Sequence, residues 1–184
     1  MSVFGFAAHG PSERCGLSCR GSTRFVQAPI EEWGYKFHMN DLNAAIGAAN
    51  FKHAERIVDA CAAHGAALAA ALGSGQVAGV RVLKVPDGAR SAYWLFTLAF
   101  TEGGQVGAFI EHMQRRGVCA SQVHTRNDHH PCVAKFSQQG CLPQLDSFAD
   151  RFVCVPVGWW LEPCDVARIV DGVKSFAALQ NDNT

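Results

Sequence analysis

The densest cluster of reactive side chains in this 184-residue sequence is His124, Arg126, Asn127, Asp128, His129, His130 and Cys132. Histidine and cysteine at these offsets could bring three ligands to one metal ion. No C-x-x-C or H-x-x-x-H pair accompanies them, however, and further ligands would have to come from elsewhere in the chain, so no metal is assigned. Arg126 carries forked donors that suit a phosphate or a carboxylate, and the plain alternative is a solvated surface loop. A second candidate lies upstream, where Trp33-Gly34-Tyr35-Lys36-Phe37-His38 forms an aromatic turn holding a lysine and a histidine. It feeds a helix start, and a helix N-terminus favours an anion. Lys36 is therefore either an anion contact or a solvated turn residue. His9, Cys15 and Cys19 make a weaker metal set, and Trp159-Trp160 either stacks a flat ligand or covers the edge of the core. No Ser/His/Asp triad, Walker loop or G-x-G-x-x-G is present, which leaves hydrolase, kinase and dinucleotide-binding readings without support.

The elements that must position these groups follow from periodicity. Asn40 or Asp41 can cap a helix, and Leu42, Ile46 and Ala49 then share one stripe. The pattern continues through Ile57, Val58, Cys61, Leu68 and Leu72 to a stop at Gly73 or Gly75, which predicts one long helix of roughly 45 Å with a bend at Gly65. Beyond Gly79 the period becomes two, at Val80 and Val82, and Pro86-Asp87-Gly88 reads as a turn. Ser91–Thr101 is an unbroken apolar run that predicts a central strand. Gln105–Arg116 predicts an amphipathic helix, Val118–Val123 a short strand, and His124–Phe136 a polar loop. A short helix at Leu145–Arg151, a strand at Val153–Val157 and a final helix at Pro163–Leu179 complete the chain. Strands interleaved with helices in this order predict an α+β layer, a small sheet with helices packed on it.

Composition narrows the function classes. The sequence is 48% hydrophobic and 17% charged, with zero formal net charge. Neither a polyanion-binding surface nor a disordered chain is expected, so nucleic acid is not a predicted partner. No apolar run reaches the ~18 residues of a membrane span. The eight cysteines fit no disulfide framework, and without a signal sequence the expectation is reduced thiols in a cytoplasmic protein.

Gly34–Phe51, GYKFHMNDLNAAIGAANF, resembles the G-Y-N-x-R-M-x-x-x-x-A-A-I-G-x-x-Q-L stretch of the DegT/DnrJ/EryC1/StrS family of pyridoxal-phosphate (PLP) aminotransferases, which act on nucleotide-linked keto sugars. Lys36, His38 and Asn50 replace the usual Asn, Arg and Gln. Ser91–Phe96, SAYWLF, resembles the family's S-x-Y-H-L-F strand; Arg116-Gly117-Val118 resembles its L-x-x-x-G-I; His124 through His130 resembles its V-H-x-x-x-x-H loop; and Val155-Pro156-Val157 resembles L-P-L. The likeness covers about residues 30–180.

The resemblance implies the C-terminal portion of a PLP fold type I aminotransferase. In that layout residues 1–40 are a remnant of the large-domain connection with the cofactor-side turn, 41–75 the long linking helix and 76–184 the C-terminal small domain. It further implies PLP as cofactor, a nucleotide sugar and an amino-acid donor as reactants, and a homodimer in which Lys36 contacts the PLP phosphate of a neighbouring subunit. The substrate-side residues it implies are His124, Arg126, Asn127 and His130. No catalytic residue is assigned. The family's cofactor-binding lysine lies N-terminal to the Gly-Tyr turn, and Met1–Trp33 holds no lysine. The chain alone is thus expected to be inactive. A non-catalytic piece that pairs with an aminotransferase subunit and a small ligand- or metal-binding domain stand as alternatives.

Overall fold

The computed structural model describes Glu32 and residues 39–73, 75–123, 126–134, 136 and 142–181. In chain order these form α1 (Asp41–Phe51), α2 (Ala54–Leu72), β1 (Val80–Val82), β2 (Phe96–Phe100), α3 (Val106–Arg115), a 3-10 turn (Asn127–His129), α4 (Pro131–Ala134), α5 (Pro143–Ala149), β3 (Phe152–Val155) and α6 (Pro163–Asn181). The strands make an antiparallel sheet in the order β1-β2-β3, so β2 is central as its unbroken apolar run requires. The architecture is the mixed helix and small-sheet layer that the pattern predicts.

Register decides which side chains meet. Phe96 lies opposite Val155, and Leu98 lies opposite both Val153 and Val82. One face of the sheet therefore carries Phe96, Leu98, Phe100, Val153 and Val155, all buried in one cluster with Phe109 and Met113 of α3, Ile169, Val173 and Phe176 of α6, and Leu68 and Leu72 of α2. Phe100, Phe109 and Phe176 meet ring against ring at centroid distances of 5.2–5.8 Å, with edges turned toward faces. On the opposite face Thr97 pairs with Cys154 and Ala99 with Phe152, and Phe148 of α5 stacks flat on Phe152 at 5.1 Å.

Four elements differ from expectation, one of them the loop expected over His124–Phe136, in which Asn127–His129 is a 3-10 turn and Pro131–Ala134 is α4. The strand predicted over Ser91–Thr101 begins only at Phe96, because Tyr93 adopts a left-handed backbone with φ 45°. Val118–Val123 contributes only a bridge between Ser121 and Cys154, closed by backbone bonds of 3.0 and 2.9 Å. The long helix is two helices, parted at Lys52-His53 where the His53 N–H turns to the Asn50 carbonyl at 2.9 Å. Gly65, expected to mark a bend, lies inside α2 and is buried.

Gly65 has a packing role instead. The Tyr93 ring lies over it so closely that an added Cβ would fall 2.3 Å from the ring carbons. The same ring stacks on Phe96 at 5.8 Å, so close approach to a glycine holds Tyr93 in a backbone well that costs on the order of 1–3 kcal/mol. At the other end of the core, Gly172 of α6 admits the Met113 thioether of α3. Beside it the buried His112 turns Nε2 toward Arg116 Nε at 3.0 Å, Ser175 Oγ at 3.0 Å and the Gly172 carbonyl at 3.2 Å.

Two predictions follow from this packing. Gly65→Ala should lower stability by about 1–3 kcal/mol despite alanine's better helix propensity, because the new Cβ meets the Tyr93 ring and forces it to shift. Differential scanning calorimetry should show Tm falling by several degrees, and Tyr93→Gly in the same chain should recover part of the loss. His112 has its pKa lowered, first by burial and then by the Arg116 charge, against an opposing pull from the Gly172 carbonyl. A ring kept neutral when folded contributes stability that is complete above its ordinary value of 6.5 and declines as pH falls below it. Chemical denaturation from about pH 7 to about pH 5 should therefore show a steeper acid loss in the wild type than in His112→Gln.

Candidate functional site

Local hydrogen bonding shapes the loop that holds most of the reactive side chains. Arg126 is extended, and the chain then tightens into the 3-10 turn Asn127–His129, closed by the His130 N–H on the Asn127 carbonyl at 3.1 Å. The His130 carbonyl in turn accepts from the N–H groups of Val133 and Ala134, both at 2.9 Å, which starts α4. Pro131 opens that helix, a position where its missing N–H costs nothing. His130 and Cys132 are buried beneath the turn, whereas Asn127 and His129 are exposed.

Arg126 is not a free cation. Its Nε donates to Asp128 Oδ1 at 3.0 Å and its Nη2 to Asp128 Oδ2 at 2.6 Å, a two-point fork, while Nη1 donates to Asp146 of α5. Its side chain is only 16% exposed. These bonds raise the Arg126 pKa above its already high ordinary value and hold the Asp128 carboxyl below the usual carboxylate range. The Gln122 amide ties the preceding segment to the same neighbourhood, donating to the Ala149 and Phe152 carbonyls at 2.8 and 3.1 Å. Of the residues expected at the site, the fold brings Arg126, Asn127 and His130 into one turn, and Lys36 and His124 lie outside the described residues. Asp146 was not legible as a partner. Its only local signal is a place in the first turn of a helix opened by Pro143, and 20 positions separate it from Arg126.

Among the described residues, no three side chains of His, Cys, Asp and Glu converge on a point that could hold a metal. The two tryptophans are half exposed and meet edge to face at 6.1 Å, with Trp160 packed over Gly158 and the Arg56 guanidinium 5.7 Å from the Trp159 ring centre. The Gly158 carbonyl is held by His64 Nδ1 at 2.9 Å, which fixes this corner to α2. The thiols of Cys61, Cys132, Cys154 and Cys164 are free, but Cys119 is disulfide-bonded, a correction to the expectation of reduced thiols that no spacing in the sequence foreshadowed.

The described lysines bear on whether a PLP group fits this part of the chain. Covalent attachment needs a lysine shielded from water and close to the cofactor's other contacts. Lys52 is exposed in the link between α1 and α2, Lys174 is exposed on α6, and Lys84 pairs with Asp87 at 3.5 Å in a turn where both side chains are open to solvent. None of the three fits that requirement. Among the described residues no helix is long and apolar enough to cross a membrane.

The sequence profile of the DegT/DnrJ/EryC1/StrS aminotransferase family matches residues 11–174. The fold superposes on the sugar aminotransferase CalS13 from Micromonospora echinospora with a TM-score of 0.67 and 33% identity, over 78% of this chain and 37% of that one. AtS13 from Actinomadura melliaura gives a TM-score of 0.66 and 34% identity, over 85% of this chain and 40% of that one. The aminotransferase TlmJ from Streptoalloteichus hindustanus, 20% identical, shares the fold at a TM-score of 0.68 over 90% of this chain and 43% of its own. No curated protein matches. The chain thus spans less than half the length of these solved structures. Since the profile takes in most of the sequence and the paired strands and helices superpose on sugar aminotransferases, the chain belongs to the DegT/DnrJ/EryC1/StrS aminotransferase family.

Proposed function

We propose that the chain is the C-terminal part of a PLP-dependent aminotransferase that moves an amino group from an amino-acid donor to a nucleotide-linked keto sugar. The observation that carries this reading is its 33–34% identity to CalS13 and AtS13 over more than three quarters of its own length. In this reading α1 and α2 link a cofactor-binding portion to a small domain that begins near residue 76. Lys36 meets the PLP phosphate of a neighbouring subunit as a point charge, and the loop holding His124, Arg126, Asn127 and His130 faces the sugar nucleotide. The cofactor supplies the electron sink when bound, while the covalent lysine and the acid that holds the ring nitrogen come from outside the described residues. A cytoplasmic homodimer accords with this assignment. A second reading, a non-catalytic piece that pairs with an aminotransferase subunit, draws on α1, in which every residue is exposed.

A chimera tests the assignment. Residues 39–181 placed in the corresponding part of a complete sugar aminotransferase should give a folded protein that keeps its PLP absorbance and transfers an amino group to a nucleotide sugar. A folded chimera without either property would sink the proposal. The 184-residue chain alone, incubated with PLP and reduced with borohydride, should carry no stoichiometric phosphopyridoxyl-lysine in its mass spectrum. One specific adduct together with measurable aminotransfer would overturn the expectation of inactivity and direct attention to Lys36.

The exposed α1 generates a separate prediction. Met39, Leu42, Ile46 and Phe51 present large apolar side chains to solvent, with Phe51 78% exposed. The isolated chain should therefore self-associate at tens of micromolar. Light scattering should return it toward a monomer on Leu42→Lys/Ile46→Lys, and a monodisperse wild-type monomer would exclude α1 as a contact surface.

A further inference from the structure

The proposed substrate loop contains an arginine whose charge is already answered from two directions, and this points to a role other than the direct anion contact that its residue type suggests. Three of its five N–H groups are directed at carboxylates: Nε and Nη2 at Asp128 within the turn, and Nη1 at Asp146 on α5. Asp128 is 21% exposed and Asp146 46% exposed, so the inner half of the clamp is well shielded and the outer half half-open to water. The three groups together carry a formal charge of −1. A diphosphate approaching Arg126 would have to displace one carboxylate while facing the other.

The geometry of the turn explains what the clamp does. Arg126 is its first residue, and the buried His130 is its last. Between them only Asn127 and His129 stand out into solvent. The Asn127 carbonyl closes the turn by accepting from the His130 N–H at 3.1 Å, and among the described residues the Arg126 side chain adds the tie between the near end of the turn and α5. Asp146 reaches that side chain from α5, which is itself seated on the sheet through the stack of Phe148 on Phe152. The chain of contacts runs from β3 through α5 and Asp146 to Arg126, and so to the exposed Asn127.

We infer that Arg126 is a positioning residue, held by Asp128 and Asp146, that locks the 126–130 turn to α5 and presents Asn127 to the ligand. The inference rests on the substrate-loop reading above for the identity of the ligand, a nucleoside diphosphate sugar, but not for the clamp itself. Asp146→Asn and Asp146→Ala separate positioning from direct contact, because the two roles give opposite signs. If Arg126 bound the anion directly, removing a competing carboxylate would hold or raise affinity for the anionic probe. If it positions the turn, affinity falls.

The experiment uses the whole 184-residue chain, TDP-glucose as the probe in calorimetric titration, and amide hydrogen exchange read by mass spectrometry across residues 126–134. For both Asp146 variants we expect exchange in that segment to rise about tenfold and probe affinity to fall roughly three- to tenfold, with the overall Tm little changed. Arg126→Ala combined with Asp146→Ala should be no worse than Arg126→Ala alone, as expected of two residues acting through one contact. Unchanged exchange in the Asp146 variants, or tighter probe binding by them, overturns the positioning role. Absence of saturable binding by the wild-type chain counts against the substrate-loop reading, and the exchange measurement then decides the clamp by itself.

Discussion

Phe96, Leu98 and Phe100 form a row on the central strand that a three-stranded sheet cannot cover with its own atoms. Each such side chain contributes about 1.5–3 kcal/mol on leaving water, so the fold depends on a lid for this row. α6 supplies the middle of the lid with Ile169, Val173 and Phe176, and α3 and α2 flank it. The aromatic contacts among Phe100, Phe109 and Phe176 fix the lid laterally, and the Gly172 gap lets α3 and α6 close around Met113. The three core helices, α2, α3 and α6, all take their positions on the sheet from this one face.

The candidate site is attached to the other side of the same sheet. Phe152 sits opposite Ala99, away from the core row, and carries Phe148 of α5. Through Asp146, α5 reaches the loop after residue 126, and through its Ala149 carbonyl it takes the Gln122 amide. A polar loop that folds on itself as a 3-10 turn and α4 is thus tied to the sheet by one aromatic stack and a few charge-assisted bonds. These are strong for their number, since ionised partners roughly double a hydrogen bond's strength.

Much of this was legible in the residues. Alternation at Val80 and Val82, the apolar run ending at Phe100, and helical spacing at Ile169, Val173 and Phe176 mark the sheet and its lid, because burial on one face imposes those periods. The break at Lys52-His53 was not legible, since no glycine or proline marks it. Gly65 signalled a bend and instead makes room for a ring from a segment 28 positions away, a long-range fact that local propensity does not encode. The same holds at the site. The arginine in the loop was visible as a chemically apt group, but whether its charge is available depends on an aspartate from a different helix.

The bareness of α1 divides the chain into two kinds of order. From α2 onward, structure is supported by contacts internal to the chain, whereas an eleven-residue helix with no buried residue is marginal in water by itself. Its helicity is then a linked variable: whatever surface binds the apolar residues Leu42 and Ile46 adds stability in proportion to the logarithm of its own concentration. Order in this segment belongs to an equilibrium with its surroundings, so the same sequence would show two melting behaviours, one fixed by its core and one set by the company it keeps.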